Sequence, residues 1–278
     1  MMILNLQDKY NYLKNYIKEL GSLCVAFSGG VDSTFLLAAA YEVLGDKCIA
    51  ITMSSSMYTK RELEEAKQFA RMLGVKHIIL NANEYDIKGF VENTKDRCYY
   101  CKHAIFTSIK KNAVNNGISY VADGSNMDDI HDFRPGMRAI KELEVISPLK
   151  VAQLTKKEIR ELSKEMHLPT WDKPSFACLA SRIPYGTPIT VDKLAMIEQA
   201  ETYLMDLGFK QFRVRYHGEI ARIEVLLEDM KRFFNDQLMN EVVKKFKQIG
   251  FAYITLDLEG YRIGSMNEVF SEEEKTYK

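Results

Sequence analysis

Apolar side chains recur at Leu6, Tyr10, Leu13, Ile17 and Leu20, at spacings of four and three, and predict an amphipathic helix ahead of the first strand. Leu23 to Phe27 is then a continuous apolar run with the length and bulk of a buried parallel strand. Phe35 to Ala40 is a second run, rich in good helix formers. The alternation continues. Cys48 to Met53 reads as a strand, Leu63, Ala66, Phe69, Ala70 and Leu73 share one face of a helix that should stop at Gly74, and Val75 to Leu80 make a third strand. A helix over Ile105–Asn115 and a strand over Ile118–Ala122 add a further unit, closing in Asp123-Gly124-Ser125-Asn126-Met127-Asp128-Asp129. This order predicts an α/β fold, a doubly wound parallel sheet.

The pattern breaks at Leu168–Pro174 and again at Pro184–Pro188, which bracket a loop. Beyond it Leu194, Ile197, Ala200, Leu204 and Leu207 form a helical stripe. Strand-like segments follow at Phe212–Tyr216 and Ala221–Val225, then a helix through Leu238, Val242 and Phe246, and a last strand over Ala252–Leu256. The expected organisation is a sheet domain over 1–170, a cysteine-bearing loop and linker over 171–187, and a smaller C-terminal α+β domain over 188–278. No internal repeat or low-complexity segment interrupts it.

A chain of 278 residues exceeds the usual single-domain length, and 46% hydrophobic content is ample for a core in each of two domains. Basic and acidic side chains balance at 38 each, so no global field favours nucleic acid or a membrane surface. No run approaches the roughly 18 apolar residues of a membrane span, and Met1 to Asp8 lacks the basic-then-apolar layout of a signal peptide. A cytoplasmic location is expected. There, five cysteines read as metal-binding, catalytic or buried thiols, not as a disulfide frame.

The strongest chemical signal is Ser28-Gly29-Gly30-Val31-Asp32-Ser33, placed where strand becomes helix. Two glycines let the backbone approach an anion closely, and the helix start adds its positive dipole end, with Ser28, Ser33 and Thr34 as further donors. Neither the Walker loop nor the dinucleotide fingerprint is present. The segment resembles the pyrophosphate loop of the ATP-pyrophosphatase (PP-loop, adenine nucleotide alpha hydrolase-like) superfamily, which cleaves ATP between the α and β phosphates. On that likeness Asp32 helps hold Mg²⁺; the bland alternative is a plain glycine turn. Ligands of such sheets lie at the carboxyl ends of the strands, so the loops after Phe27, Met53 and Ala122 should share one crevice, with Asp123 and Asn126 as polar contacts to nucleotide or metal. Both also suit a simple turn, and Ser54-Ser55-Ser56 reads as an adenosine-contacting loop or a polar linker.

Arg97-Cys98-Tyr99-Tyr100-Cys101-Lys102 spaces two thiols so that both reach one metal or each other. Cys178 lies far off, on Lys173-Pro174-Ser175-Phe176-Ala177-Cys178-Leu179-Ala180-Ser181-Arg182-Ile183-Pro184-Tyr185-Gly186, where Arg182 would stabilise a thiolate. Cys24 and Cys48 sit inside apolar strands as small buried hydrophobes.

Together S-G-G-V-D-S, R-C-Y-Y-C-K, D-G-S-N-x-D-D, the Cys178 loop and Arg213-Val214-Arg215-Tyr216-His217 are similar to the LarE family of PP-loop sulfur transferases, over nearly the whole chain from Val25 to Met266. The resemblance implies that ATP adenylates each carboxylate of pyridinium-3,5-biscarboxylic acid mononucleotide, with release of pyrophosphate, and that sulfur then converts it to a thiocarboxylate during nickel-pincer nucleotide assembly. A carboxylate is a poor electrophile, and joining it to AMP supplies a leaving group. In one version of the family the cysteine at the Cys178 position gives up its own sulfur and is left as dehydroalanine. In the other, cysteines at Cys98, Cys101 and Cys178 hold a [4Fe-4S] cluster whose fourth iron carries a sulfide. The presence of all three thiols favours the cluster; structural zinc with His103, or a redox dithiol at Cys98 and Cys101, are the rivals.

The resemblance also places Ser181, Arg182, Arg213 and Arg215 at the substrate, whose phosphate and carboxylates call for arginine forks. Arg213 and Arg215 alternate along one strand and share a face; the bland reading is a solvated face paired with Glu219 or Glu224. Glu201 and Glu224 match acidic positions of the family suggested to bind a divalent metal, and Tyr99 and Tyr100 could stack on the pyridinium ring. A tRNA thiolase is disfavoured by zero net charge and by the lack of an RNA-binding domain, despite small basic patches at Lys156-Lys157 and Lys244–Lys247. An amidating ligase of the NAD synthetase type needs no reactive cysteines, and pyrophosphate release would eliminate a non-catalytic nucleotide-binding module. The expected partners are a small nucleotide substrate, further copies of the chain as a homo-oligomer (a hexamer by family likeness), and transiently other cofactor-assembly enzymes, with no nucleic acid or membrane.

Overall fold

The computed structural model describes residues 5–87, 89–131, 135–174, 177–262 and 264–268. Met1–Leu4, and Ser175 and Phe176 of the Cys178 loop, lie outside the described residues. The chain forms two compact units, Met1–Ile87 with Cys98–Phe176, and Lys88–Arg97 with Ala177–Lys278.

In the first unit α1 (Leu6–Leu20) is capped by Asn5, whose side chain accepts the Asp8 N–H, and it ends on Gly21 in the left-handed region. There follow β1 (Leu23–Ala26), α2 (Val31–Leu44), β2 (Cys48–Ser54), α3 (Lys60–Leu73), β3 (Lys76–Asn81), α4 (Arg97–Asn115), β4 (Val121–Ala122), α5 (Gly136–Glu142), α6 (Pro148–Val151) and α7 (Lys156–Glu165). Gly74 ends α3 in the left-handed conformation, as its place in the pattern predicts. All strand pairs are parallel, in the order β3-β2-β1-β4, and an isolated bridge sets Ile146 beside Ala122. The order reverses between β1 and β4. With right-handed crossovers such a reversal opens a crevice at the strand ends, and the loops after β1 and β4 flank it. Leu13, Ile17, Phe35, Leu36, Leu37, Leu149, Ile159 and Leu162 pack into one core with the inner strand residues.

Two sequence expectations shift. The helix expected from Ile105 begins eight residues earlier, at Arg97, because its first turn packs on α5: Tyr99 Oη donates to Glu142 at 2.7 Å and the Arg138 guanidinium lies 3.8 Å from the Tyr99 ring centre. The strand expected over Ile118–Ala122 pairs only at Val121 and Ala122. The chain between Gly136 and Glu165 was expected in no element and forms three short helices.

The second unit holds α8 (Val191–Asp206), β5 (Phe212–His217), β6 (Ile220–Val225), α9 (Leu227–Met230), α10 (Asp236–Ile249) and β7 (Tyr253–Leu256). β5 and β6 form an antiparallel hairpin, and β7 joins β6 in parallel. α8 packs on β5, α10 on β7, and the helices on each other, so Leu194, Ile197, Leu204, Val242 and Phe246 are buried with Phe212, Val214 and Ile223. The segment 89–97 joins this unit at several points: the Val91 carbonyl accepts the Ile189 N–H at 2.9 Å, the Arg97 guanidinium lies 4.6 Å from the Tyr185 ring centre, and Asn93 makes the densest contacts. Asn93 is fully buried at φ +54°, and its side-chain amide donates to the carbonyls of Pro184 (2.8 Å) and Thr187 (2.9 Å) while its backbone carbonyl accepts the Gly186 N–H (3.0 Å).

Candidate active site

The chain leaves β1 at Ala26, turns through Ser28-Gly29-Gly30 and enters α2 at Val31. Gly29 has φ +71°, and a side chain there would stand 3.1 Å from Ala66 Cβ, so the turn needs glycine on both counts. Ser28 and Ser33 face each other, Oγ to Oγ at 3.1 Å, and Ser33 Oγ also donates to the Gly30 carbonyl at 3.2 Å. Thr34 Oγ1 is buried and, among the described residues, has no hydrogen-bond partner, unlike the two serines. Asp32, on the first turn of α2, accepts the Asn126 amide at 3.1 Å and pairs with the Lys156 ammonium. Gly124 completes the contact between the loops: a Cβ there would lie 3.2 Å from Ser33 N and 3.4 Å from Asp32 Cβ. The loops after β1 and β4 therefore meet.

Asp123 faces inward. It accepts from Ser147 Oγ at 2.7 Å and from Ser125 N at 3.3 Å, and it stands 6% exposed, so it braces the loop while Asn126 orients Asp32. Ser54–Ser56 turns back on itself: Ser55 Oγ accepts the Met57 N–H, and Ser56 donates to the buried Glu84. Beneath the turn, Thr52 Oγ1 donates to the Phe27 carbonyl at 2.5 Å and so must accept from His77 Nε2–H at 2.7 Å. Burial, then the Lys67 charge, lowers the His77 pKa to about 4.

Cys98 and Cys101 occupy the first two turns of α4, three residues apart and so on one face. Cys98 is exposed, and Cys101 is partly buried with its thiol 3.6 Å from Met57 Sδ, on the loop after β2. Gly136 packs against this turn, where a side chain would meet Lys102 Cδ at 2.6 Å and the Cys98 carbonyl at 3.2 Å. Cys24 and Cys48 are fully buried, and burial pushes both thiols up to about 12.

In the second unit a short 3₁₀ turn, Leu179–Arg182, follows Cys178. Arg182 is 1% exposed and holds the turn together, donating to the carbonyls of Ala177 (2.6 Å) and Cys178 (3.1 Å) and to Ser181 Oγ (3.0 Å). Its other edge forms a bidentate pair with Glu201 of α8, both bonds 2.8 Å. Burial alone would raise the Glu201 pKa, but the Arg182 charge and hydrogen bonds outweigh it and hold the carboxyl below its ordinary range. Arg215 makes a second fork with Glu224 (2.9 and 2.7 Å) and donates to the Ser181 carbonyl at 3.2 Å, and Ser265 Oγ joins both partners. Arg213 lies alongside, 5.0 Å from the Tyr261 ring centre; burial, then the Arg182 charge, lowers its pKa to about 10. Arg213 and Arg215 are thus buried, where a solvated strand face was the plain alternative. Glu201 and Glu224, expected as divalent-metal ligands, here serve guanidinium groups, and a cation would have to displace an arginine to reach either. Among the described residues no three His, Cys, Asp or Glu side chains converge as a metal-binding group.

Sequence reasoning missed two residues of the first unit. Lys156 was read only as part of a basic patch, although Thr155 and Glu158 form the capping box that could have placed it at a helix start. Lys173, at the head of the Cys178 loop, bonds the Gly29 carbonyl (3.0 Å) and Glu65 (2.7 Å), and Arg160 fixes the loop by donating to the Trp171 and Lys173 carbonyls.

A parallel strand opening through this serine-glycine turn into a helix, with an aspartate on the first helical turn, defines a PP-loop ATP-using α/β protein, and residues 5–116 match the NAD synthase family. The chain is 38% identical over 258 residues to the pyridinium-3,5-bisthiocarboxylic acid mononucleotide synthase of Lactiplantibacillus plantarum, covering 92% of each protein. It is 42% identical over 266 residues to an uncharacterised protein of Synechocystis sp. (96% of this chain, 99% of the relative). With an uncharacterised protein of Methanocaldococcus jannaschii it shares 31% identity over 253 residues (90% and 96%). The chain belongs to the LarE family of ATP-using sulfur transferases.

Proposed function

We propose that this protein uses ATP to adenylate the carboxylates of pyridinium-3,5-biscarboxylic acid mononucleotide and replaces the activated oxygen with sulfur, yielding thiocarboxylates, AMP and pyrophosphate. One observation carries the reading: a chain similar along 92% of its length to a synthase named for the bisthiocarboxylic product has a serine-glycine turn at a helix start and, elsewhere, a cysteine whose carbonyl a buried arginine holds. Gly29 and Gly30 admit the phosphates close to the backbone, and the α2 dipole favours their charge. Asp32, oriented by Asn126, is the carboxylate available to a magnesium ion, which commonly binds through one or two carboxylates plus substrate phosphates. Magnesium there would neutralise the departing pyrophosphate.

For the sulfur, Cys98, Cys101 and Cys178 have the donor chemistry of a [4Fe-4S] cluster, and three protein thiolates leave one iron open. Bound in this way, the cluster would supply a sulfide nucleophile. The i, i+3 spacing of Cys98 and Cys101 suits a shared ligand, and the hold of Arg182 on the Cys178 carbonyl fixes where that residue's thiol starts. Arg213 and Arg215, with Ser181 and Arg182, are the residues proposed to stand at the substrate's phosphate and carboxylate groups, although Arg182 and Arg215 commit their forks to Glu201 and Glu224 and have only their remaining N–H groups to offer. Assembly as a homo-oligomer, hexameric by family likeness, with a cytoplasmic location and transient contacts to other cofactor-assembly enzymes, belongs to the same proposal. It is supported by apolar exposure at Leu227, Phe234 and Leu258. Among the described residues no helix is long and apolar enough to cross a membrane.

Anaerobic purification tests the sulfur source. Brown protein containing iron and acid-labile sulfide, bleached by Cys98→Ala, Cys101→Ala or Cys178→Ala, is the expected result. Colourless protein that acquires dehydroalanine at residue 178 after one turnover would establish the sacrificial route instead.

A further inference from the structure

The Asp32 carboxylate is shared. Asn126 donates to Oδ1, and the Lys156 ammonium pairs with Oδ2 across 124 residues of sequence. The base of Lys156 is fixed: it opens α7 behind the Thr155–Glu158 capping box, and its own N–H donates to Asp128 Oδ2 at 2.8 Å. Only the side chain, four flexible carbons ending in a compact charge, is left to move. Lys173, by contrast, is tied to both the Gly29 carbonyl and Glu65.

We propose that Lys156 is an exchangeable cation at Asp32: a divalent ion arriving on the carboxylate displaces the ammonium, which transfers to the β- and γ-phosphate oxygens of the nucleotide. The proposal rests on the ATP-cleaving reading of the turn and deepens it by assigning a residue outside the Ser28–Ser33 motif. One carboxylate cannot hold a divalent ion and an ammonium at contact distance without strong repulsion between the two cations. An ammonium with three rotatable donors matches phosphate oxygens, and Asn126, being neutral, stays in place under either partner. Lys156 therefore competes with the metal and assists the nucleotide. No bond to carbon, oxygen or phosphorus changes in the exchange; only ion pairs do.

The test uses the full-length protein freed of nucleotide, with Lys156→Met set beside wild type. Manganese alone is titrated by the resonance of the unbound ion, and α,β-methylene-ATP by calorimetry at saturating magnesium, the condition in which the ammonium has left Asp32. The exchange predicts opposite signs in Lys156→Met: manganese binds about threefold tighter once the competing ion pair is gone, and the analogue binds at least about tenfold weaker once a charged phosphate donor is gone. Lys156→Arg, which keeps the charge, should show no tightening of manganese, and Lys157→Met should change neither titration. Unchanged affinities in Lys156→Met, a fall in both, or the same response in Lys157→Met would overturn the assignment. Wild-type protein that binds neither probe would instead defeat the ATP reading itself, so the two failures are distinguishable.

Discussion

Arg182 and Glu201, 19 residues apart in sequence, meet through two parallel hydrogen bonds of 2.8 Å in the core of the second unit, and the same guanidinium holds the Cys178 carbonyl. One side chain thus serves the α8 packing and the placement of the thiol. Glu201→Ala leaves a buried guanidinium without its carboxylate, which costs about 3–5 kcal/mol. Denaturant unfolding should show that loss. Arg182→Lys cannot make both the bidentate pair and the turn contacts, so the rate of Cys178 alkylation in the folded protein should change as well.

Acid should destabilise the first unit through His77. Its folded pKa, about 4, lies below the ordinary imidazole value of 6.5, so the unfolded chain binds more protons between those limits, and stability falls as pH drops through that window. In His77→Gln the unfolding midpoint should decline less from pH 6.5 to 4. Glu201 acts lower down. Its depressed pKa stabilises the fold above the ordinary carboxylate range and loses that contribution as pH falls through the folded value.

The cysteines should divide sharply in reactivity. Cys24 and Cys48 are fully buried with thiols pushed to about 12, whereas Cys98 is exposed and Cys101 and Cys178 are partly so. Iodoacetamide at pH 8 should modify Cys98, Cys101 and Cys178 in metal-free folded protein and reach Cys24 and Cys48 only after denaturation, as read by peptide mass spectrometry.

Gly124→Ala should weaken ATP binding without unfolding the protein. The added methyl stands 3.2 Å from Ser33 N and 3.4 Å from Asp32 Cβ, so it presses on the helix start proposed to receive the phosphates. Calorimetric titration should show affinity reduced by about tenfold, equivalent to about 1.4 kcal/mol, with the unfolding midpoint shifted by only a few degrees.

β1 and β2 could be read from their apolar runs, since strands buried on both faces advertise themselves without tertiary information, and the edge strand β3, only half-buried, still carries the run Ile78-Ile79-Leu80. The Ser28–Ser33 turn was equally legible. The start of α4 was not, because Arg97 to Lys102 favours no helix strongly and depends on Glu142 and Arg138 of α5. Nor were the partners of Asp32, Glu201 and Glu224. An ion pair such as Lys156 with Asp32 leaves no periodic trace, and charge composition cannot say whether an arginine on a strand meets water or a buried carboxylate.

We propose ATP cleavage at the Ser28–Ser33 turn as the step that activates a carboxylate. It is tested most directly by incubating the pure protein with ATP, magnesium and pyridinium-3,5-biscarboxylic acid mononucleotide and counting AMP and pyrophosphate. Equal amounts of the two, appearing only when the diacid is present and lost in Asp32→Ala, are predicted; no AMP with the diacid, or release of ADP and phosphate in its place, would contradict the account.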